Sequence, residues 1–423
     1  MEIFCRIFPT EGIFRVSASY DAGEMTTPHF LLNREFTVDH LICDGSEIPV
    51  ESAPAEIADW DYAVQKILLP PAARTLRAEY TGRLSGKTSM APYARERITP
   101  EFTFLRWETF PFPLFCPCSE EDIHAALFLQ GDSRWRIRVP AGYEVVATER
   151  LTEKRVADGG MEFLYDHARQ INNFSCAVAP YRIICTAVGV FYLFHDCPQT
   201  DVAGIMQEAH RYMDVHFGVR EVPADTIFAA IPEGFGNFAI PGTNVVFIQE
   251  SAFRSLPDMA AVIHEFIHLG WNARAAESDR RLRFFDEAFT CYFQMRVMDA
   301  LTGKEDTLPE FRRLYQRQMA GGGYRLVPIC DFGKYEYGDL SYSLGPLFFH
   351  ALCAFLGQAE FDRILSAFLE KYRETPGTLK SFCTDVVDNT APDQREELRN
   401  FLRKWLYTTE ESKKYLQNNC PEK

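Results

Sequence analysis

Two histidines four residues apart, His264 and His268, enclose Glu265 in the run His264-Glu265-Phe266-Ile267-His268. Glu287 follows after eighteen intervening residues, giving H-E-x-x-H-x18-E. On a helix, side chains at i and i+4 lie on one side, one turn apart. Two imidazoles so placed can ligate one Zn²⁺. Glu265, beside the first His, can face a metal-bound water instead of the metal. A carboxylate oxygen from Glu287 makes a third ligand. Three protein ligands leave a fourth position open, which is the pattern of a catalytic zinc. One zinc per chain is therefore expected, with Glu265 as general base toward its water.

These residues need elements to hold them. Met259, Val262, Ile263, Phe266, Ile267 and Trp271 recur at helical spacing, so the motif is expected on an amphipathic helix. Ser255 offers an N-cap and Pro257 suits the first turn. The run Phe284 to Phe293 reads as a second buried helix carrying Glu287. Attack on a peptide carbonyl builds up an oxyanion, and a hydroxyl opposite the metal would stabilise it. Tyr335, Tyr337 and Tyr342 are the downstream candidates. Tyr342 is preferred because it opens a helix that ends at Leu356-Gly357. Gly345, one turn into that helix, admits a close neighbour.

The 423 residues suffice for two or three domains, and 47% hydrophobic content suits a packed globular chain. The net charge of −15 argues against a nucleic-acid partner, which needs clustered Lys and Arg. The most apolar stretch, Ile183 to Phe194, is too short to cross a bilayer and reads as a buried strand, so no membrane association is expected. The start, Met1-Glu2-Ile3-Phe4-Cys5-Arg6, has no basic, long-apolar signal character, and 12 cysteines are scattered without a framework. The expectation is a cytoplasmic protein with reduced thiols. Cys116-Pro117-Cys118 has poor zinc spacing and reads as structural.

Residues 1–195 alternate apolar and polar, as in Phe36 to Leu41 and Trp135 to Val139, with frequent Gly, Pro and Asp. They are expected to form an antiparallel β domain, interrupted by a helix-like stretch near Ala55 to Gln65. From Val202 to Phe217 the pattern is helical, and Thr226 to Ile231 and Val245 to Gln249 read as strands. The boundary is placed near 196, with residues 196–423 as the catalytic domain.

The residues at this point resemble the aminopeptidase N family of gluzincin zinc metallopeptidases. Its H-E-x-x-H-x18-E signature is met by His264, Glu265, His268 and Glu287. Its G-N after the second His is echoed by Gly270-Trp271-Asn272, and its N-E-G-F-A by Asp286-Glu287-Ala288-Phe289-Thr290. Its later tyrosine motif matches Tyr342 and Gly345, with Leu344 in place of a Lys. A weaker echo of its F-P-C-x-D-E-P lies at Cys116 to Asp122, followed by Ala126-Leu127-Phe128. The resemblance implies an N-terminal antiparallel β-saddle domain followed by a thermolysin-like zinc catalytic domain. It describes a short form lacking the family's C-terminal helical domain, with a zinc-dependent peptide hydrolase activity. The family's G-x-M-E-N motif, whose Glu holds a substrate's α-amine, falls near Pro232 to Gly242. Glu233, Gly236 and Asn237 are the substrate-binding candidates there. No register keeps the family Glu, because Gly236 or Ala239 takes its place, so an exopeptidase preference would rest on Glu233.

Three readings follow: a zinc metallopeptidase of the aminopeptidase kind; a hydrolase of a non-peptide substrate on this scaffold; and a non-catalytic protein on the same scaffold. The oligomeric state is left open.

Overall fold

In a computed structural model, the chain divides into two compact units. The first comprises Met1–Cys197 and Asp225–Ser251, the second Pro198–Ala224 and Ala252–Lys423. The segment Asp225–Ser251 thus groups with the first unit although it follows residue 196. The structure describes residues 1–55, 64–71, 73–86, 96–127, 129–170, 172, 174–186, 188–195, 201–218, 226–235, 237–239, 244–270, 284–304, 307–332, 340–372 and 375–417.

Among the described residues the first unit is built on sheets, with a short α-helix, α1 (Glu120–Leu127), and a 3-10 turn at Trp107–Thr109. Its largest sheet has eight strands. Their order is Glu153–Ala157, Gly160–Gln170, Gln130–Pro140, Glu2–Phe8, Ile13–Asp21, Thr75–Gly82, Thr37–Cys43 and Ser46–Glu47. Strict alternation puts Ile3, Cys5, Ile7, Val16, Ala18, Ile137 and Val139 into one core. The expected antiparallel domain is corrected here, because Glu2–Phe8 pairs with Gln130–Pro140 in parallel. Alternation reports which face is buried, not the direction of the neighbouring strand, so the sequence pattern is blind to this. The predicted helix-like stretch near Ala55 to Gln65 lies mostly outside the described residues, and Val64 and Gln65 belong to a strand, Val64–Leu68.

A five-stranded sheet follows the order Arg182–Thr186, Gly189–Leu193, Ile227–Ile231, Val245–Gln249, Phe238–Ala239. Its three inner strands are parallel. Phe238–Ala239 is an edge strand, antiparallel to Val245–Gln249. The single buried strand expected at Ile183 to Phe194 is instead a hairpin, Arg182–Thr186 with Gly189–Leu193. Gly189 makes the reversal with φ +146, and a Cβ there would lie 2.5 Å from the carbonyl oxygen of Thr226.

The second unit is helical. It contains α2 (Val202–Phe217), α3 (Ala260–Gly270), α4 (Phe289–Thr302), α5 (Leu308–Ala320), α6 (Ser341–Leu356), α7 (Gln358–Lys371), α8 (Leu379–Asp388), α9 (Arg395–Leu406) and α10 (Glu410–Gln417). The Asp201 carboxylate caps α2 by accepting from the Gly204 N–H at 3.0 Å. Phe284, Phe289, Phe349 and Phe382 meet ring to ring at the centre of this unit. Each fully buried ring contributes on the order of 2–3 kcal/mol of transfer free energy, so this cluster sets the positions of α4, α6 and α8. No described helix is long and apolar enough to cross a membrane.

Candidate metal centre

Met259, Val262, Ile263, Phe266 and Ile267 are all buried, so α3 is fixed by its apolar stripe. Trp271 and Asn272 lie outside the described residues. Ser255 Oγ accepts from the Asp258 N–H at 3.4 Å, holding the turn that leads into α3. His264 and His268 leave α3 one turn apart, both partly buried, with Glu265 between them at 8% exposure.

Glu287 sits in a π-helical turn, Phe284–Ala288, that runs directly into α4. Such local widening re-aims a side chain within an otherwise regular helix. His264 Nε2 lies 3.1 Å from His268 Nε2 and 3.1 Å from Glu287 Oε2. His268 Nε2 lies 3.5 Å from that same oxygen. A tetrahedral ion with bonds of about 2.0–2.1 Å has edges of about 3.3 Å, so the three donors already stand at the corners such an ion requires. Among the described residues, no other group of three His, Cys, Asp or Glu side chains is placed to hold a metal.

Two residues that the sequence reading missed complete the arrangement. His264 Nδ1–H donates to Gln294 Oε1 at 3.0 Å, which leaves Nε2 as the free base. Thr290 Oγ1 lies 3.2 Å from His268 Nδ1. Hydrogen bonds of this kind fix the tautomer and the ring plane of a metal-binding His. Their positions, three and seven residues after Glu287, are the spacing of one helix face and could have been found from that.

Tyr342 lies in the first turn of α6 and donates to Glu287 Oε1 at 2.6 Å. Its ring stacks on His264 with centroids 6.2 Å apart. The neighbour that Gly345 admits is Ala288: a Cβ on Gly345 would lie 2.7 Å from the Ala288 Cα. Gly345 therefore lets α6 approach the Glu287 turn closely enough for the Tyr342 hydroxyl to reach the carboxylate. Tyr335 and Tyr337 lie outside the described residues.

The loop read as substrate-binding belongs to the first unit. Gly236 lies outside the described residues. Glu233 is exposed, and its Oε1 accepts from the Ser251 N–H at 2.8 Å. Asn237 Oδ1 accepts from the Gln249 N–H at 2.7 Å, and Gln249 Oε1 accepts from the Gly234 N–H at 2.7 Å. Arg106, buried, donates from Nη1 to the Phe235 carbonyl at 3.1 Å. Its Nε lies 3.0 Å from Glu96 Oε1. Burial pushes the Glu96 carboxyl up to about 7, against the pull of Arg106.

That shift predicts a pH effect on stability. Glu96 holds its proton in the folded state at pH values where the unfolded chain has released it. The folded state therefore binds more protons between about pH 4.5 and 7, and stability falls as pH rises through that window. Glu96→Gln should flatten this part of the profile and stabilise the protein at pH 8 by on the order of 1–3 kcal/mol, with little change at pH 4.5. Urea unfolding at the two pH values checks it. Equal effects at both would remove Glu96 titration as the cause.

No protein-family model and no curated protein sequence matches this chain. Solved structures do. An M1 zinc metallopeptidase from Deinococcus radiodurans, in a mutant form bound to a Tyr-Ser-Ala substrate, superposes with TM-score 0.62 at 15% identity. The match covers 96% of this chain and 92% of that one. The same mutant without the peptide gives 0.61 at 16% identity, covering 96% and 92%. The unmutated form gives 0.59 at 15%, covering 95% and 92%. The chain has the fold of these metallopeptidases. It is a mixed fold of sheets and helices, and the likeness extends over nearly the whole length.

Proposed function

We propose that the chain is a zinc-dependent peptide hydrolase in which water attacks the scissile peptide carbonyl. The observation that carries this reading is the meeting of His264 Nε2, His268 Nε2 and Glu287 Oε2 at three corners of a zinc-sized tetrahedron. When bound, Zn²⁺ would polarise the carbonyl and lower the pKa of the attacking water to about 7. Glu265 takes that water's proton and passes it to the departing amine as the C–N bond breaks. Gln294 and Thr290 hold the imidazoles in plane. Tyr342 stabilises the oxyanion, which requires its hydroxyl to turn from Glu287. In this reading residues 1–195 are a saddle-like β domain and 196–423 a thermolysin-like catalytic domain, of the aminopeptidase N type. The fold shared with M1 metallopeptidases supports this assignment. A cytoplasmic setting goes with it, in keeping with 12 cysteines scattered without a framework pattern.

Metal analysis tests the centre. Purified wild type should hold one zinc per chain and Glu287→Ala should hold little. Wild type without transition metal, even after zinc is supplied, would contradict the assignment.

The aminopeptidase part rests on Glu233 with Gly236 and Asn237. A carboxylate has room for several donors, so Glu233 can keep Ser251 on one oxygen and meet an α-ammonium with the other. Wild type should then cleave a free peptide faster than its N-acetylated form, and Glu233→Ala should lose that preference. Equal preference in both proteins would assign the amine to another carboxylate. No preference in either would mark an endopeptidase. A second reading, a protein on this scaffold that hydrolyses no peptide, is favoured by one observation. Glu233 and Asn237 both bind the loop's own backbone neighbours.

A further inference from the structure

The outer face of the eight-stranded sheet carries an arginine row that neither the core nor the metal centre uses. The register places Arg15 directly opposite Arg6, Arg6 opposite Arg138, Arg138 opposite Glu162, and Glu162 opposite Arg155. Five adjacent strands therefore present four arginines and one glutamate in a single line, on the face away from the buried Cys5, Ile7, Val16 and Ile137. Two residues along, on the same face, Arg136 lies opposite Phe4.

Glu162 is taken. It is buried and accepts from Arg138 at 3.0 Å and from Arg155 Nε at 3.0 Å. Among the described residues, Arg6, Arg15 and Arg136 form no ion pair. Arg6 and Arg15 are exposed. Their guanidinium groups instead lie over aromatic rings: Arg6 and Arg136 over Phe4 at 4.9 and 5.2 Å, and Arg15 over Phe8 at 5.4 Å. Like charges directly opposite each other on a sheet are destabilising. A polar β-former such as Thr would serve a merely solvated face better. The excess of positive charge is local to this row in a chain whose net charge is −15, for on the same face Glu2 and Asp166 pair with Arg134, and Glu79 with Arg77.

We propose that this face docks a carboxylate-rich segment of another protein, with Arg6, Arg15 and Arg136 as its anion-binding groups and Phe4 and Phe8 as its apolar contacts. Charge complementarity carries the choice of partner. Guanidinium forks pair with carboxylates bidentately, and rings already stacked under them hold the forks in place. A long polyanion such as nucleic acid, or an anionic membrane, would meet the field of the whole acidic chain as well as this patch. A short acidic segment meets the patch alone, within a Debye length of about 10 Å at moderate salt.

The probe is a fluorescently labelled Glu-rich peptide, followed by anisotropy with a metal chelator present to suppress hydrolysis. Wild type should bind it at low salt and release it as salt rises. The triple variant Arg6→Thr, Arg15→Thr, Arg136→Thr should bind roughly tenfold or more weakly, the combined loss expected for three exposed charge pairs. The single variant Arg6→Thr should bind more weakly with a thermal midpoint no lower than wild type. Three results would overturn the proposal: no binding by wild type, equal binding by the triple variant, or binding of single-stranded DNA or anionic vesicles as tight as that of the peptide. A lowered midpoint in Arg6→Thr with unchanged binding would also overturn it, by making the row a structural feature of the sheet.

Discussion

Glu265→Gln should lower peptide turnover by roughly 10²–10⁴-fold while zinc content and folding stay at wild-type values. The change keeps size and hydrogen-bonding capacity and removes only basicity. Glu265 sits on α3 between the two histidines but is not one of the three converging donors, so its loss need not disturb the metal. Its burial means that a substitution of different shape would confuse a chemical effect with a packing one. Near-normal turnover in the Gln variant would exclude Glu265 as the base. Loss of zinc along with activity would make it part of the metal's support instead.

Tyr342→Phe should cost on the order of 10²–10³-fold in kcat with KM little changed, since a hydroxyl that meets the developing oxyanion acts in the transition state. The contact with Glu287 Oε1 supplies a competing role. If the hydroxyl served only to orient that carboxylate, the Phe variant would lose zinc affinity, and excess zinc would restore its turnover. Persistent loss of kcat at saturating zinc is the result expected for the oxyanion role. An effect on KM alone would move Tyr342 to ground-state binding. Gly345 contributes to the same contact, because its closeness to Ala288 brings this hydroxyl within reach.

Much of this geometry is legible in the sequence because it depends on local periodicity. The apolar stripe from Met259 to Ile267 defines the face of α3, and the four-residue spacing then decides where His264 and His268 point. The same logic applies to Val202–Phe217 and to Tyr342 at the head of α6. What escapes is set by distant partners. Nothing local marks the parallel pairing of Glu2–Phe8 with Gln130–Pro140, or the reversal at Gly189 within an apolar run. The arginine row exists only once strands remote in sequence are put in register. Arg106 reads as an ordinary surface charge until burial beside Glu96 and contact with Phe235 show otherwise. Gln294 and Thr290 were within reach, since their offsets from Glu287 are helical, but neither residue type signals metal chemistry by itself.

Every role proposed above depends on peptide hydrolysis with zinc held by His264, His268 and Glu287. The most direct measurement is cleavage of a panel of aminoacyl fluorogenic substrates and internally quenched peptides by zinc-loaded protein, by the same protein after chelation, and after zinc is returned. Cleavage of at least one class is expected, with loss on chelation and recovery when zinc is returned. Absence of cleavage across the panel by protein shown to contain one zinc per chain would contradict the assignment, as would cleavage that persists after the metal has been removed.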